Sequence, residues 1–244
     1  MPGKNSGPIS PWIPTLLLLA IPLPTVPPAG LVGGPGPGAF GPVPQAPSDR
    51  VIPPEEIVTW SAHSFEGYTQ YELVEIDGRS AVHAVCDEGT ASGLFLEEEI
   101  DLTRTPILEW EWRVDATFEG IDETTRAGDD YAARIYAVRE GGLRVWRTRA
   151  LNYVWASEME KGSDWPNAYQ SRAHMLALRS GADEAERGWQ TERRNLRKDF
   201  EGYHGEEVEK IDALAIMTDC DDVGEPVEAW YGEIRLLGPG PQGG

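Results

Sequence analysis

Positive charge is scarce in this chain of 244 residues, which sets 21 Lys and Arg against 41 Asp and Glu for a formal net charge of −20. A surface of that sign repels phosphate backbones, and no basic stripe with interleaved aromatics offsets it. Nucleic acid is therefore not an expected partner. Thiols and imidazoles are few as well. Cys86 and Cys220 form no CxxC, and His63, His83, His174 and His204 are scattered without ligand spacing, so no zinc site is expected. The chain has no GxSxG, no Walker A and no GxGxxG ahead of a strand-to-helix turn. Serine hydrolase, nucleotide and dinucleotide chemistry are left without support, and no catalytic residue is assigned.

Long uninterrupted apolar runs are missing too. The stretch from Trp12 to Val26 is broken by Pro14, Pro22 and Pro24, and is too short and too interrupted to span a bilayer. With Lys4 ahead of it, the layout is that of a secretory leader over residues 1–29, so export to a periplasmic or extracellular setting is expected. Residues 30–48 are uncharged and Pro/Gly-rich, which is linker chemistry without the apolar surface a core needs. A single domain is expected over residues 49–238, followed by a flexible tail at 239–244. In an oxidising compartment Cys86 and Cys220 can pair, subject to geometry that sequence does not show.

What the chain has in abundance is strand signal. Short apolar or alternating runs recur at Val58 to Phe65, Tyr71 to Ile76, Ala81 to Cys86, Gly93 to Ile100 and Ile107 to Val114. They continue at Tyr131 to Val138, Leu143 to Ala156, Met175 to Leu178, Ala213 to Met217 and Ala229 to Leu237, separated by Gly, Asp and Pro turns. In ILEWEWRVD, Leu108, Trp110, Trp112 and Val114 alternate with Glu109, Glu111, Arg113 and Asp115, so one face is core and the other is wet. Only Thr191 to about Tyr203 reads as a helix, with Thr191 as N-cap and Leu196 and Phe200 as an i, i+4 apolar pair. The pattern predicts an all-β fold, a two-sheet β-sandwich of jelly-roll or galactose-binding-like type with one or two short helices.

Two acidic segments stand out, GDDYAARIY from Gly128 and MTDCDD from Met217, the latter followed by AWYGEIRLL. Together with LNYVWAS and WQTERRNLRKDF, in this order, they resemble the bacterial domain-of-unknown-function 3047 family over roughly Trp60 to Leu237. The resemblance implies no established activity and no catalytic residue.

Asp is a poor strand former, so these clusters place carboxylates at strand ends, where a hard cation or a polar ligand can be held. Asp219, Asp221 and Asp222, with Asp129 or Asp130, are candidate ligands for calcium. Five crowded carboxylates need counter-charge, either from such a cation or from Arg193, Arg194 and Arg197. A polar-ligand site is expected around Asp129, Asp130, Tyr131, Trp165, Arg194, Asn195 and Asp221. Trp165, flanked by Asp164, Pro166 and Asn167, reads as the best exposed indole, while Trp110 and Trp112 read as core. Glu109 and Glu111 share a strand face about 6.5 to 7 Å apart, a separation that glycoside hydrolysis can use but does not require, and a solvated charge ladder continued by Arg113 is the ordinary explanation. The expectation is a non-catalytic binding module of an exported bacterial protein, with glycan as the candidate ligand. The alternatives are a carbohydrate-active hydrolase using paired carboxylates and an envelope scaffold whose partner is another envelope protein.

Overall fold

Leu108, Trp110, Trp112 and Val114 are buried along one strand, while the residues between them are half-buried, so the period-two pattern of Ile107–Val114 is realised residue by residue. The same rule builds the rest of the computed structural model, which describes residues 49–142 and 147–239. The chain begins with β1 (Arg50–Ile52), β2 (Ser61–Glu66), β3 (Gln70–Ile76), β4 (Arg79–Cys86), β5 (Ala91–Leu96) and the short β6 (Ile100–Asp101). It continues through β7 (Ile107–Val114), β8 (Ala133–Arg139), β9 (Arg149–Ala156), β10 (Asp164–Pro166) and β11 (Ala173–Ser180). Last come β12 (Gln190–Asn195), β13 (Lys210–Ile211), β14 (Ala213–Asp219) and β15 (Val227–Leu237). Helices are short: α1 (Pro54–Ile57), α2 (Gly181–Ala185) and α3 (Leu196–His204).

Two large sheets carry the architecture. One has six strands in the order β12-β7-β15-β4-β3, with β1 also on β15; the other has seven, β10-β11-β9-β8-β14-β5-β2. Neighbours within both sheets run antiparallel except β9 and β11, which are parallel. Between the sheets, Trp110 lies 5.3 Å from Tyr153 and Trp112 lies 5.7 Å from Trp155, ring centre to ring centre. Aromatic pairs at such separations add to their area burial, so β7 and β9 anchor the two layers. The fold is a β-sandwich of jelly-roll type, as the alternation predicts.

Cys86, the last residue of β4, is bonded to Cys220, which directly follows β14. Their Cα atoms are 6.0 Å apart, and the link joins one sheet to the other. Among the described residues no helix is long and apolar enough to cross a membrane. The leader, the linker and positions 240–244 of the expected tail lie outside the described residues, as do Leu143 to Trp146 of the expected 143–156 strand.

The helix expected from Thr191 begins later. Residues 190–195 form β12, paired along the edge of β7 from Gln190↔Trp112 to Asn195↔Ile107, and the helix starts at Leu196. Asn195 is the N-cap: its side chain accepts from the Lys198 backbone N–H, and Gly205 closes the helix at φ 64°. Asn195 is thus a cap, and Asp199 lies within the helix. The run TERRN has the charge content of an edge strand, and its arginines pair across to β7 and into α3.

Candidate functional site

Strands β8 and β14 pair antiparallel, Met217 opposite Arg134 and Ala213 opposite Val138, so the start of one and the end of the other share a sheet end. This geometry brings Asp129 and Asp130, which precede β8, beside Asp219, Asp221 and Asp222. Gly128 leads the first pair in. A Cβ there would stand 2.5 Å from the Asp122 carbonyl oxygen, so only glycine allows the approach.

Each carboxylate of this corner has a distinct environment. Asp129 is buried and accepts two hydrogen bonds from Asn167 Nδ2, at 2.9 and 2.7 Å, and one from the Tyr131 hydroxyl at 3.2 Å. Burial, ahead of any other cause, raises its pKa. Asp130 is fully buried; its Oδ2 accepts the backbone N–H groups of Asp222 (3.0 Å) and Val223 (2.5 Å), while its Oδ1 has no partner. Asp219 is held by Arg134, whose Nε donates to Oδ1 at 3.1 Å and whose second nitrogen forms an ion pair with Oδ2. Asp221 reaches the surface, and Asp222 accepts the Tyr169 hydroxyl at 2.5 Å. Oxygens of Asp130, Asp221 and Asp222 all lie within 4.8 Å of one another. Desolvation first, and then the like charges of Asp130 and Asp222, push Asp221 up to about 7. Asp222 is raised for the same leading reason.

Arg134 supplies the counter-charge of Asp219 here, where the sequence offered a bound cation or Arg193, Arg194 and Arg197 for that part. Its guanidinium, 3% exposed, also donates to the Tyr136 hydroxyl (3.0 Å) and the Asp129 carbonyl (3.0 Å) and lies 4.5 Å over the Tyr131 ring. Arg193 instead pairs with Glu109 at 2.7 Å, and Arg194 is a fork on Asp199 at 2.8 and 2.7 Å, beside Tyr153. Arg197 is exposed on α3. Arg193 and Arg194 are thus engaged with β7 and α3, on account of the strand that replaces the first turns of the expected helix.

Of the expected ligand residues, the structure brings together Asp129, Asp130, Tyr131, Trp165 and Asp221, and it separates Arg194 and Asn195 from them. Trp165 is a correction. It lies on β10, 5% exposed, packs near Tyr131 and donates from Nε1 to the Glu123 carbonyl at 3.1 Å. Tyr131 is fully buried too, so neither ring offers a free face. The exposed aromatic of this corner is Tyr169, 51% accessible, stacked under Arg126 at 4.9 Å. Sequence reasoning passed over it because a lone Tyr in a polar loop carries no periodic signal. Glu109 and Glu111 prove to be rungs of a charge ladder. Glu109 pairs with Arg193 and Arg235, and Glu111 with Arg79. The depression the two share is about 110 Å³, below the roughly 300 Å³ of the smallest usual ligand pockets.

A family model described as a protein of unknown function, DUF3047, matches residues 58–235. The chain belongs to this family. Both acidic segments of the DUF3047 chain lie inside the matched region. No curated protein sequence matches it. Among solved structures it is similar to the family 11 carbohydrate-binding module of the cellulosomal cellulase Lic26A-Cel5E of Clostridium thermocellum, with a TM-score of 0.43 and 10% identity over 80% of this chain and 97% of that one. The xyloglucanase domain of NopAA from Sinorhizobium fredii gives a TM-score of 0.33 and 6% identity over 71% of this chain and 94% of that one. The glycoside hydrolase domain of Endo-D from Streptococcus pneumoniae R6 gives 0.37 and 8% over 75% and 22%.

Proposed function

We propose that this DUF3047 protein is a non-catalytic, exported binding module for a hydroxyl-rich ligand, a glycan, taken up at the acidic corner. Tyr169 carries the reading. Its ring is half exposed beside Asp221 and Asp222, so an apolar face and carboxylate acceptors for hydroxyl groups are offered together. The Cys86–Cys220 bond supports export, because disulfides persist in oxidising compartments. The ion pairs of Glu109 and Glu111 support a role without turnover.

One observation favours turnover instead. Asp221 is pushed up to about 7, first by desolvation and then by the charges of Asp130 and Asp222, and a carboxylate partner stands within 4.8 Å. A proton donor beside a carboxylate is what glycoside hydrolysis uses. A glycan array with the full chain, followed by a reducing-sugar assay on each glycan retained, separates the readings. Binding without released sugar is expected, and Tyr169→Ala is expected to weaken it roughly threefold to tenfold while lowering the melting temperature by only a few degrees through the lost hydrogen bond to Asp222. Released sugar lost in Asp221→Asn would establish the hydrolase. Silence in both assays would remove the glycan and leave the envelope scaffold.

A further inference from the structure

We infer that the acidic corner is a calcium site, made by Asp130 Oδ1 with the carboxylates of Asp221 and Asp222. The inference shares Asp221 and Asp222 with the glycan reading but does not require a glycan, and calcium alone tests it. Three features carry it. First, the three carboxylates present oxygens within 4.8 Å of one another, a span that one cation can bridge. Second, Asp130 is fully buried and only half satisfied. Two backbone N–H groups of the Asp222–Val223 turn hold Oδ2, so the side chain is fixed, and Oδ1 is left without a hydrogen-bond donor. A buried carboxylate oxygen with no donor is costly unless a cation meets it. Third, none of these three residues forms an ion pair with a Lys or Arg among the described residues, because the nearby guanidinium is already committed. Arg134 spends its nitrogens on Asp219, the Asp129 carbonyl and Tyr136.

The donor set selects the ion. All three side chains are carboxylates, the cysteine of the corner is bonded to Cys86, and no imidazole joins the group, so a hard cation is favoured over zinc or copper. Two of the ligands come from the turn after β14 and the third from the segment before β8, and Asp221 reaches the surface, leaving room for water ligands. Calcium accepts six to eight oxygens in a flexible geometry, whereas magnesium demands a near-ideal octahedron. The turn also starts at the disulfide: Cys220 precedes Asp221, and its carbonyl accepts the Gly224 N–H at 2.9 Å. Reduction of that bond would therefore loosen two of the three ligands.

The test uses the full chain stripped with chelator, titrated with calcium chloride alone, and followed by calorimetry and melting temperature. Binding in the range of extracellular modules, with Kd on the order of 10⁻⁴ to 10⁻³ M, is expected, and tenfold excess over Kd should raise the melting temperature by about 3 to 6 °C. Magnesium at the same concentration should do less. Asp221→Asn, at an exposed position, and Asp222→Asn, at a half-buried one, should each weaken calcium roughly tenfold or more. In chelator, Asp221→Asn should melt no lower than the parent chain, since it removes a repelling charge. A melting temperature indifferent to calcium up to about 10 mM, well above the expected Kd, would overturn the site, and so would undiminished binding in both variants.

Discussion

Glu123 offers a buried carboxylate to three consecutive backbone amides. Ser157 donates to Oε1 at 2.8 Å, and Glu158 and Met159 donate to Oε2 at 3.0 and 2.7 Å. Its own carbonyl accepts from Trp165 and Tyr131, so this one residue fastens the segment before β8 to the turn after β9. Burial raises its pKa even against those three donors. Glu123→Gln would turn an NH2 group toward backbone N–H groups and leave at least one of them unsatisfied. A loss of about 1 to 3 kcal/mol is expected from the shift of a urea midpoint at unchanged slope, and a shift near zero would contradict this account. Nothing in the local sequence singles out Glu123, because the three amides its carboxylate accepts from lie more than thirty residues away. Arg134 escaped because the carboxylate it pairs with, Asp219, is distant in sequence and is brought beside it only by strand pairing. A carboxylate's neighbour in sequence says little about its neighbour across a sheet, which register decides.

At the scale of elements, the acidic corner was legible because Asp129 and Asp130 precede one strand signal and Asp221 and Asp222 follow another, and antiparallel pairing of β8 with β14 makes those ends coincide. The helix start was not legible. Thr191 and Asn195 are both good N-cap residues, and an edge strand such as β12, lacking apolar alternation, does not announce itself as a strand. Charge pairing across to β7 decides the matter, with Arg193 on Glu109. The two assignments predict different stabilities. Asn195→Ala should cost about 1 kcal/mol, the worth of an N-cap, whereas Thr191→Ala, exposed on the edge strand, should stay within about 0.5 kcal/mol. The reverse order, measured by denaturant unfolding, would restore a helix from Thr191.

Over the whole molecule, the excess of carboxylates turns acidity into a stability coordinate. Asp129, Asp221, Asp222 and Glu123 are all raised by burial above their ordinary values, Asp221 to about 7. The folded chain therefore binds protons more tightly at these sites than the unfolded chain does. Such groups contribute fully below their unfolded values near 4, and that contribution is lost as pH rises through the folded value, for Asp221 between about 4 and 7. Relief of self-repulsion at a net charge of −20 acts in the same direction. His204 works against it. Burial lowers its pKa, so its contribution is present above about 6.5 and fades as pH falls. One half-buried imidazole is set against four carboxylates and the field of the whole chain, so the carboxylates should prevail. With chelator present and ionic strength constant, the protein should melt at a higher temperature near pH 5.5 than near pH 8, opposite to a protein whose carboxylates are held by salt bridges. Asp221→Asn should flatten part of that slope, and a melting temperature that rises from pH 5.5 to pH 8 would show that the acidic corner is not under the strain its geometry implies.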